Sequence, residues 1–259
     1  MSESGSVSEV LELNEIVGYI GPKENEKAEV WKGSIFVFDT NFLLNLYRYE
    51  NEVVQQFIGI WTRLKEQSWI TSHVALEFLR NREKVRREQK ALYGKVCASA
   101  AKVIDDFAIA TQRDNISDRH SFIDTTDFEE ELRALKLKFE NQVKQWDEGD
   151  ANASSSDPIF AKVEELLVKK VFRGFDYGEI ETFGKEAEQR YEALTPPGFE
   201  DRDKEGSINY CGNIIPRKFG DLIVWKEILS LSKFLDRDIV FVTDDSKEDW
   251  WWLEKGQRI

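Results

Sequence analysis

The sequence predicts an α/β protein with a parallel central sheet. Two short apolar segments, residues 35–38 and 239–242, each stop abruptly at aspartates, and amphipathic helical patterns lie between them. Continuous apolar strands are typical of parallel sheets, because helices cover both faces of such sheets. The carboxyl ends of parallel strands share one edge of the sheet, where the ligands of α/β proteins bind. The same two observations therefore predict where a functional site would lie.

The first half of the chain shows a strand, two helices, a second strand and a third helix. The strand at residues 35–39 is followed by helical periodicity from Phe42 and by a second helix at residues 51–65. Residues 69–71 predict the second strand. Ser72 is a suitable N-cap for the third helix, which continues beyond residue 80. This order is typical of the start of an α/β domain.

The middle of the chain predicts a helical insertion. Charged helices with narrow apolar stripes fill most of residues 86–195. A coiled coil that binds a protein partner is one interpretation of these stripes, and packing against the core is the alternative that we favour. One stripe consists of Leu92, Val96, Val103 and Phe107. Residues 195–218 hold three of the five prolines and predict a mobile loop.

The α/β pattern returns near the end of the chain. Asp221 begins an amphipathic helix, and residues 238–242 form another strand of the buried type. The predicted organisation is an N-terminal arm at residues 1–30, a first half of the core at 31–85, a helical insertion with its Pro/Gly loop at 86–209, and a second half of the core at 210–259.

Composition limits the classes of function. The chain has 259 residues and 41% hydrophobic content, and no apolar run approaches the ~20 residues that span a bilayer. Its N-terminus lacks a signal-peptide pattern, so we expect a cytoplasmic protein that has no membrane partner. Cys97 and Cys211 indicate neither a disulfide framework nor a thiolate zinc site. The net charge of -13 opposes a surface built wholly for nucleic acid, although residues 80–90 carry six basic and two acidic side chains.

Carboxylates collect at the predicted carboxyl edge of the sheet. Asp39 follows the first strand, and Asp244 and Asp245 follow the last one. Glu77 lies about one and a half turns into the helix after the second strand, and Asp221 lies at a helix start. Hard divalent cations prefer oxygen ligands, and Mg²⁺ uses a few carboxylates together with water and substrate phosphate. The sequence therefore predicts a metal site at this edge.

Each of these acids also has an ordinary structural explanation. Asp and Glu make up 49 of the 259 residues, so an acid at one position carries little information. Asp39 and Asp221 can cap helices, Glu77 can lie on a solvated helix face, and Asp244 and Asp245 can form a turn. The concentration of all five at one edge favours a site.

The order of four motifs resembles the PIN-domain nucleases, specifically a bacterial PIN-like group with a long helical insertion. The motifs are FDTN at Asp39, HVALEFLRN at Glu77, GDLIVW at Asp221 and VFVTDDSKEDWW at Asp245. The resemblance covers about residues 35–253. It implies a three-layer α/β/α PIN-like fold with a parallel central sheet and a long α-helical insertion.

The resemblance also implies a metal site built on four acids. These acids would act in catalysis by holding one or two Mg²⁺ or Mn²⁺ ions, and they are Asp39, Glu77, Asp221 and Asp245. Asp244 and Asp249 are candidates for a second metal or its surroundings. Two small polar residues, Asn41 and Thr243, match positions that orient the acids.

Basic side chains near the acids are candidates for contacts with substrate phosphates. Arg80 and Lys84 follow Glu77 on the same helix face, and a solvated face paired with neighbouring glutamates is the alternative. The resemblance also assigns Asp201 and Lys204, in the segment PPGFEDRDK, to the site. A flexible surface loop is an equally good explanation of this segment. The predicted substrate-binding set is Asn41, Arg80, Lys84, Lys204, Thr243 and Lys247.

Three consecutive tryptophans, Trp250, Trp251 and Trp252, follow the last motif. They could stack on the bases of a single strand. Burial of at least two of them against the sheet is the interpretation that we favour.

The implied function is metal-assisted hydrolysis of phosphodiester bonds by an endonuclease. The substrate is RNA or single-stranded DNA, RNA being slightly favoured, and a role in bacterial defence or toxicity follows from the resemblance alone. A haloacid-dehalogenase-type phosphatase is the enzymatic alternative, but Asn41 stands where that mechanism needs an aspartate as general acid. The remaining alternative is a non-catalytic PIN-fold protein that binds partners through its helical insertion.

Overall fold

The computed structural model divides into two compact units. The first unit comprises Met1–Asn41, Leu64–Ala75 and Lys169–Ile259, and the second comprises Phe42–Arg63 and Leu76–Val168. The residues that the structure describes are 24–113, 126–153, 157–254 and 257–258. Most of the predicted N-terminal arm, residues 1–23, therefore lies outside the described residues.

The first unit is built on a four-stranded parallel sheet. Its strands are β1 (Ile35–Phe38), β2 (Ser68–Thr71), β3 (Val171–Phe172) and β6 (Ile239–Val242), in the spatial order β3-β2-β1-β6. All four residues of β1 are buried, and Phe38 lies opposite Val242 in the parallel pair of β1 and β6. The predicted α/β class and the parallel pairing of the two apolar strands are confirmed.

Among the described residues, three α-helices belong wholly to this first unit: α1 (Glu24–Gly33), α7 (Ile180–Glu192) and α8 (Gly220–Leu235). Helix α7 buries Phe183, Ala187 and Tyr191, which are spaced by four residues and share one face. Helix α8 buries most of its apolar residues between Leu222 and Leu231. Burial of this apolar surface is the main favourable contribution to the stability of the unit.

The segment predicted as a mobile loop, residues 195–218, has regular structure instead. It contains a 3₁₀ helix at Phe199–Asp203 and an antiparallel hairpin of β4 (Ser207–Tyr210) and β5 (Asn213–Pro216). Cys211 and Gly212 both have positive φ, as a two-residue type I′ turn requires. The prediction was wrong because proline and glycine were taken as loop signals, while Ile208 and Ile215 are the buried residues of a hairpin. A second short hairpin joins β7 (Leu253–Glu254) to β8 (Gln257–Arg258).

The second unit is helical. Helices α2 (Thr40–Asn45) and α4 (Ser72–Arg113) begin in the first unit, and α3 (Asn51–Arg63), α5 (Thr126–Ala153) and α6 (Pro158–Leu166) lie in the second. The half-buried carboxylate of Asp157 accepts hydrogen bonds from the Phe160 N–H at 2.8 Å, the Tyr47 hydroxyl at 2.9 Å and Arg82 Nη1 at 3.0 Å. This acid caps α6 and connects it to α4 and to the turn that follows α2.

Helix α4 has 42 residues and is the long helix that the sequence predicts. Its apolar stripe does not pack against a core as we favoured, because Leu92, Val96 and Val103 are 44%, 51% and 70% exposed. Phe107 contacts Phe128 of α5 with ring centroids 5.0 Å apart. None of the described helices has the length and apolar character that crossing a membrane requires.

Candidate functional site

Asp39 lies at the carboxyl end of β1, and its side chain is buried and fixed by hydrogen bonds. Its backbone N–H donates to the Val242 carbonyl at 2.9 Å, which keeps the ends of β1 and β6 level. Its Oδ1 accepts from the Thr40 N–H at 2.7 Å, and its Oδ2 accepts from the Thr243 hydroxyl at 2.8 Å. The first bond is a local contact at the start of α2, whereas the second joins the two strand ends.

Thr243 is the centre of this hydrogen-bond network. While its hydroxyl donates to Asp39, its oxygen accepts from Asn41 Nδ2 at 3.1 Å and from the Asp245 N–H at 3.0 Å. One donor and two acceptor lone pairs are the full capacity of a hydroxyl group. Asn41 Oδ1 in turn accepts from the Asp244 N–H at 3.0 Å. The network therefore ties both aspartates of the β6 end to Asp39.

Asp221 and Asp249 lie beside the Pro-Gly segment of the chain. Gly198 has φ +86°, and a Cβ placed there would lie 3.0 Å from Asp221 Cβ and 3.1 Å from the Tyr191 hydroxyl. The Gly198 N–H donates to the Asp249 carbonyl at 3.1 Å, and the Glu200 N–H donates to Asp249 Oδ2 at 3.3 Å. Glycine is required because the segment approaches Asp221 closely in the left-handed region.

Asp249 is fully buried. Burial is unusual for an aspartate, because an aspartate with an ordinary pKa is charged at neutral pH. Its Oδ1 accepts no hydrogen bond from any residue that the structure describes. Burial raises the pKa of this carboxyl above its ordinary range, although Lys247 and the Glu200 N–H act in the opposite direction. A buried carboxylate oxygen without a donor is costly, and a cation would compensate it.

Two lysines share the carboxylate of Asp201. Lys204 Nζ lies 2.7 Å from Asp201 Oδ2, and Lys247 Nζ lies 3.3 Å from Asp201 Oδ1. Burial by itself lowers the pKa of Lys247, but Asp201, Asp221 and Asp245 raise it above its ordinary value on balance. The Lys247 ammonium group thus lies in the field of three carboxylates. The sequence signal for the Asp201–Lys204 contact is their spacing of three residues within one helical turn.

The remaining predicted site residues lie on α4 and belong to the second unit. Glu77 is half-buried, and Arg80 is exposed. Lys84 is also exposed, and its Nζ lies 3.8 Å from Glu88, as the solvated-face interpretation expects. Among the residues that the structure describes, no three His, Cys, Asp or Glu side chains are grouped closely enough to hold a metal ion.

The three tryptophans differ in burial. Trp250 is half-buried and packs on Phe241, with ring centroids 5.0 Å apart, whereas Trp251 and Trp252 are 45% and 52% exposed. The prediction that at least two of them are buried was wrong. A 3₁₀ helix ends at Trp250 and Trp251 is extended, so the chain directs only one of the three rings onto the sheet.

Glu227 is a buried acid that the sequence did not single out. It accepts hydrogen bonds from the Ser72 hydroxyl at 2.5 Å, the His73 N–H at 2.9 Å and the Gly174 N–H at 3.4 Å. The first two donors lie at the start of α4, so Glu227 caps that helix from α8. Its position within the apolar face of α8, next to Ile228, is the signal that could have revealed it.

A family model described as "PIN like domain" matches residues 35–259. The match begins at β1 and includes every predicted site residue. No curated protein and no solved structure matches the chain.

Proposed function

Because the chain belongs to the PIN-like domain family, whose fold is typically that of nucleases, we propose that it is a divalent-metal-dependent endonuclease of RNA or single-stranded DNA. The observation that carries this proposal is the hydrogen-bond network in which Thr243 joins Asp39 to Asp245. It supports a carboxylate site at the carboxyl edge of the parallel sheet, where α/β proteins bind their ligands.

The chemistry of these residues fits a hard divalent cation. The donors are carboxylate oxygens, which Mg²⁺ and Mn²⁺ prefer, and the buried Oδ1 of Asp249 accepts no hydrogen bond from a described residue. The acids proposed to hold the ion or ions are Asp39, Glu77, Asp221, Asp244, Asp245 and Asp249. Because no three described carboxylates are grouped closely enough to hold an ion by themselves, water and substrate phosphate would supply the remaining ligands. When bound, such an ion acidifies water near neutral pH and stabilises negative charge on the phosphate.

The side chains around the acids have supporting roles in this proposal. Thr243 and Asn41 keep Asp39 in one orientation, so the carboxylate does not have to be ordered during the reaction. Lys204 and Lys247 supply positive charge to substrate phosphates, as Arg80 and Lys84 would from α4. The exposed rings of Trp251 and Trp252 offer faces on which bases of a single strand can stack. We favour RNA over DNA, and a role in bacterial defence or toxicity, on the family resemblance.

The phosphatase alternative is less well supported. Its mechanism needs an aspartate as general acid two residues beyond Asp39, and Asn41 occupies that position. The Asn41 amide donates to Thr243 and accepts from the Asp244 N–H. An ionised carboxylate at this position could accept a hydrogen bond but could not donate one.

A protein partner on the helical insertion is a separate part of the proposal. The exposed side chains of Leu92, Val96 and Val103 support it, because they place apolar surface along one helix. Both a nuclease and a non-catalytic PIN-fold protein could bind a partner through this surface.

The test is cleavage of labelled single-stranded RNA, single-stranded DNA and duplex DNA with Mg²⁺ or Mn²⁺. Asp39→Asn and EDTA should each abolish cleavage. Asp236→Asn is the matched control, because Asp236 is exposed, precedes β6 at the other edge of the sheet, and has a left-handed backbone that Asn tolerates. Cleavage that survives Asp39→Asn, or no cleavage of any substrate, would contradict the proposal.

A further inference from the structure

We propose that Asp201 is a positioning residue that fixes Lys204 and Lys247 as a pair of ammonium groups for one phosphate of a nucleic-acid chain. This inference rests on the proposed function and names a part of its substrate site. Asp201 is not one of the proposed metal ligands, and both oxygens of its carboxylate already hold an ammonium group.

The two lysines come from separate segments of the chain and meet at one carboxylate. Lys204 follows the 3₁₀ helix at Phe199–Asp203, and Lys247 directly precedes the 3₁₀ helix at Glu248–Trp250. The Asp201 side chain is only 14% exposed, while those of Lys204 and Lys247 are 44% and 41% exposed. The carboxylate is therefore largely enclosed, and the ammonium groups remain open to a ligand.

The charges do not balance as they would in a structural ion pair. Asp201 carries one negative charge and contacts two ammonium groups, so these three side chains together carry one positive charge, while Asp221 and Asp245 also act on Lys247. Each ammonium group has three N–H donors, and the contact with Asp201 uses one from each lysine. Exposed ion pairs of lysine contribute little to stability, so stability alone does not account for the arrangement. A phosphate, with its negative charge and several acceptor oxygens, complements the remaining donors.

The backbone holds Asp201 in place before any ligand binds. Its N–H donates to the Gly198 carbonyl at 3.1 Å, and the Lys204 N–H donates to the Asp201 carbonyl at 2.8 Å. Gly198 and Glu200 are in turn bonded to Asp249. Long lysine side chains lose conformational freedom when they bind, and holding them beforehand reduces that loss. Positioning by Asp201 would therefore increase affinity although Asp201 is itself negative.

The lysine pair adjoins the proposed catalytic carboxylates. Asp221 and Asp245 both act on Lys247 electrostatically, and Asp245 Oδ1 accepts a hydrogen bond from the Lys247 N–H at 2.9 Å. A phosphate bound by the pair would thus lie next to the site where hydrolysis is proposed.

The test is the binding of a fluorescein-labelled single-stranded RNA of twelve nucleotides in EDTA at low salt. Asp201→Asn should weaken binding by about three- to tenfold, although removing a negative charge alone would strengthen it. Asp203→Asn is the matched control, because Asp203 lies in the same 3₁₀ helix, is almost fully exposed and has Arg202 as its neighbour. It should bind as the native protein does or more tightly.

Substitutions of the two lysines provide a second set of variants. Because both lysine side chains are half-exposed, these substitutions should not disturb folding. Lys204→Gln and Lys247→Gln should each weaken binding and reduce the salt dependence of log K by about 0.7. Lys247→Arg should retain most of the affinity, because it keeps the charge. Thermal melting of every variant would show whether it is folded.

Binding by Asp201→Asn that equals or exceeds native binding would overturn the inference, and so would native protein that does not bind the RNA. Neither result bears on catalysis, because cleavage with Mg²⁺ is measured separately. Loss of binding in Asp201→Asn without any cleavage by the native protein would support the lysine pair and contradict the nuclease.

Discussion

The Thr243 hydroxyl donates a 2.8 Å hydrogen bond to Asp39 Oδ2, and this bond connects the carboxyl ends of β1 and β6. The two strands lie side by side with Phe38 opposite Val242, so the residues that follow them are neighbours although they are 204 positions apart. Thr243 thus sets the orientation of Asp39, the predicted metal ligand that directly follows β1. This contact can be removed without removing any acid.

Thr243→Val should reduce cleavage by about 10- to 100-fold, the usual effect of losing a residue that orients a metal ligand. Valine has nearly the same shape but neither donates to Asp39 nor accepts from Asn41 and the Asp245 N–H. The measurement is the initial rate of cleavage as a function of Mg²⁺ concentration. Thr243→Ser restores the hydroxyl and should recover most of the rate, and a valine variant as active as the native protein would show that the bond has no catalytic role.

Gly198→Ala should destabilise the protein by more than the strain of a left-handed alanine, which is about 1–2 kcal/mol. The added Cβ would lie 3.0 Å from Asp221 Cβ, so the Pro-Gly segment or the start of α8 must move. The measurement is the free energy of unfolding in urea. Gly212→Ala is the control, because Gly212 has a similar φ of +83° but no atom within 4 Å of its Cβ position. Equal losses for both variants would mean that the close approach to Asp221 is not important.

Glu227→Gln should lower the free energy of unfolding by about 2–3 kcal/mol, because a charged acceptor with three donors is replaced by an amide. The new NH₂ group would replace the oxygen that faces either the His73 N–H or the Gly174 N–H, which can only donate, so one of these backbone groups would lose its acceptor. Urea unfolding measures the loss.

Glu186→Gln is the control for this substitution. Glu186 forms a 2.7 Å ion pair with Lys226 in which both side chains are substantially exposed. Such pairs contribute about 0–1 kcal/mol, so this variant should be nearly as stable as the native protein. A Glu227 variant that is equally stable would contradict the capping role of Glu227.

The sheet and the edge at which Asp39, Asp244 and Asp245 lie could be predicted because the local pattern determines them. The uninterrupted apolar run before Asp39 is typical of a strand that is covered on both faces, as β1 is. The similar run before Asp244 forms β6, which is an edge strand with half-buried residues rather than the buried strand that the sequence predicts. Glu227 was missed because an acid in an amphipathic helix shows its burial only when the packing of that helix is known. The contact of Lys247 with Asp201 spans 46 residues, and Asp201 lies in a segment that was predicted as a loop. Residue types alone carry no signal for a contact of this kind.

The Asp249→Asn variant tests whether Asp249 is a metal ligand or a structural acid. The measurement is thermal melting, which does not require activity. The carboxylate is buried, its Oδ1 accepts no hydrogen bond from the described residues, and burial raises its pKa. Asparagine keeps the shape and can still accept from the Glu200 N–H, while it removes a buried charge that is poorly compensated. In EDTA, the variant should therefore melt at the same temperature as the native protein or higher.

With Mn²⁺, the native protein should gain stability as the ion concentration rises, by about 2.7 kcal/mol at a hundred times the dissociation constant. Asp249→Asn should gain less at each concentration, because it lacks one oxygen ligand for the second ion. Asp236→Asn, which keeps all proposed ligands, should follow the native curve. If Asp249→Asn melts far below the native protein in EDTA and shows the same shift with Mn²⁺, Asp249 has a structural role in holding the Gly198–Glu200 segment, and the metal set is smaller than we propose.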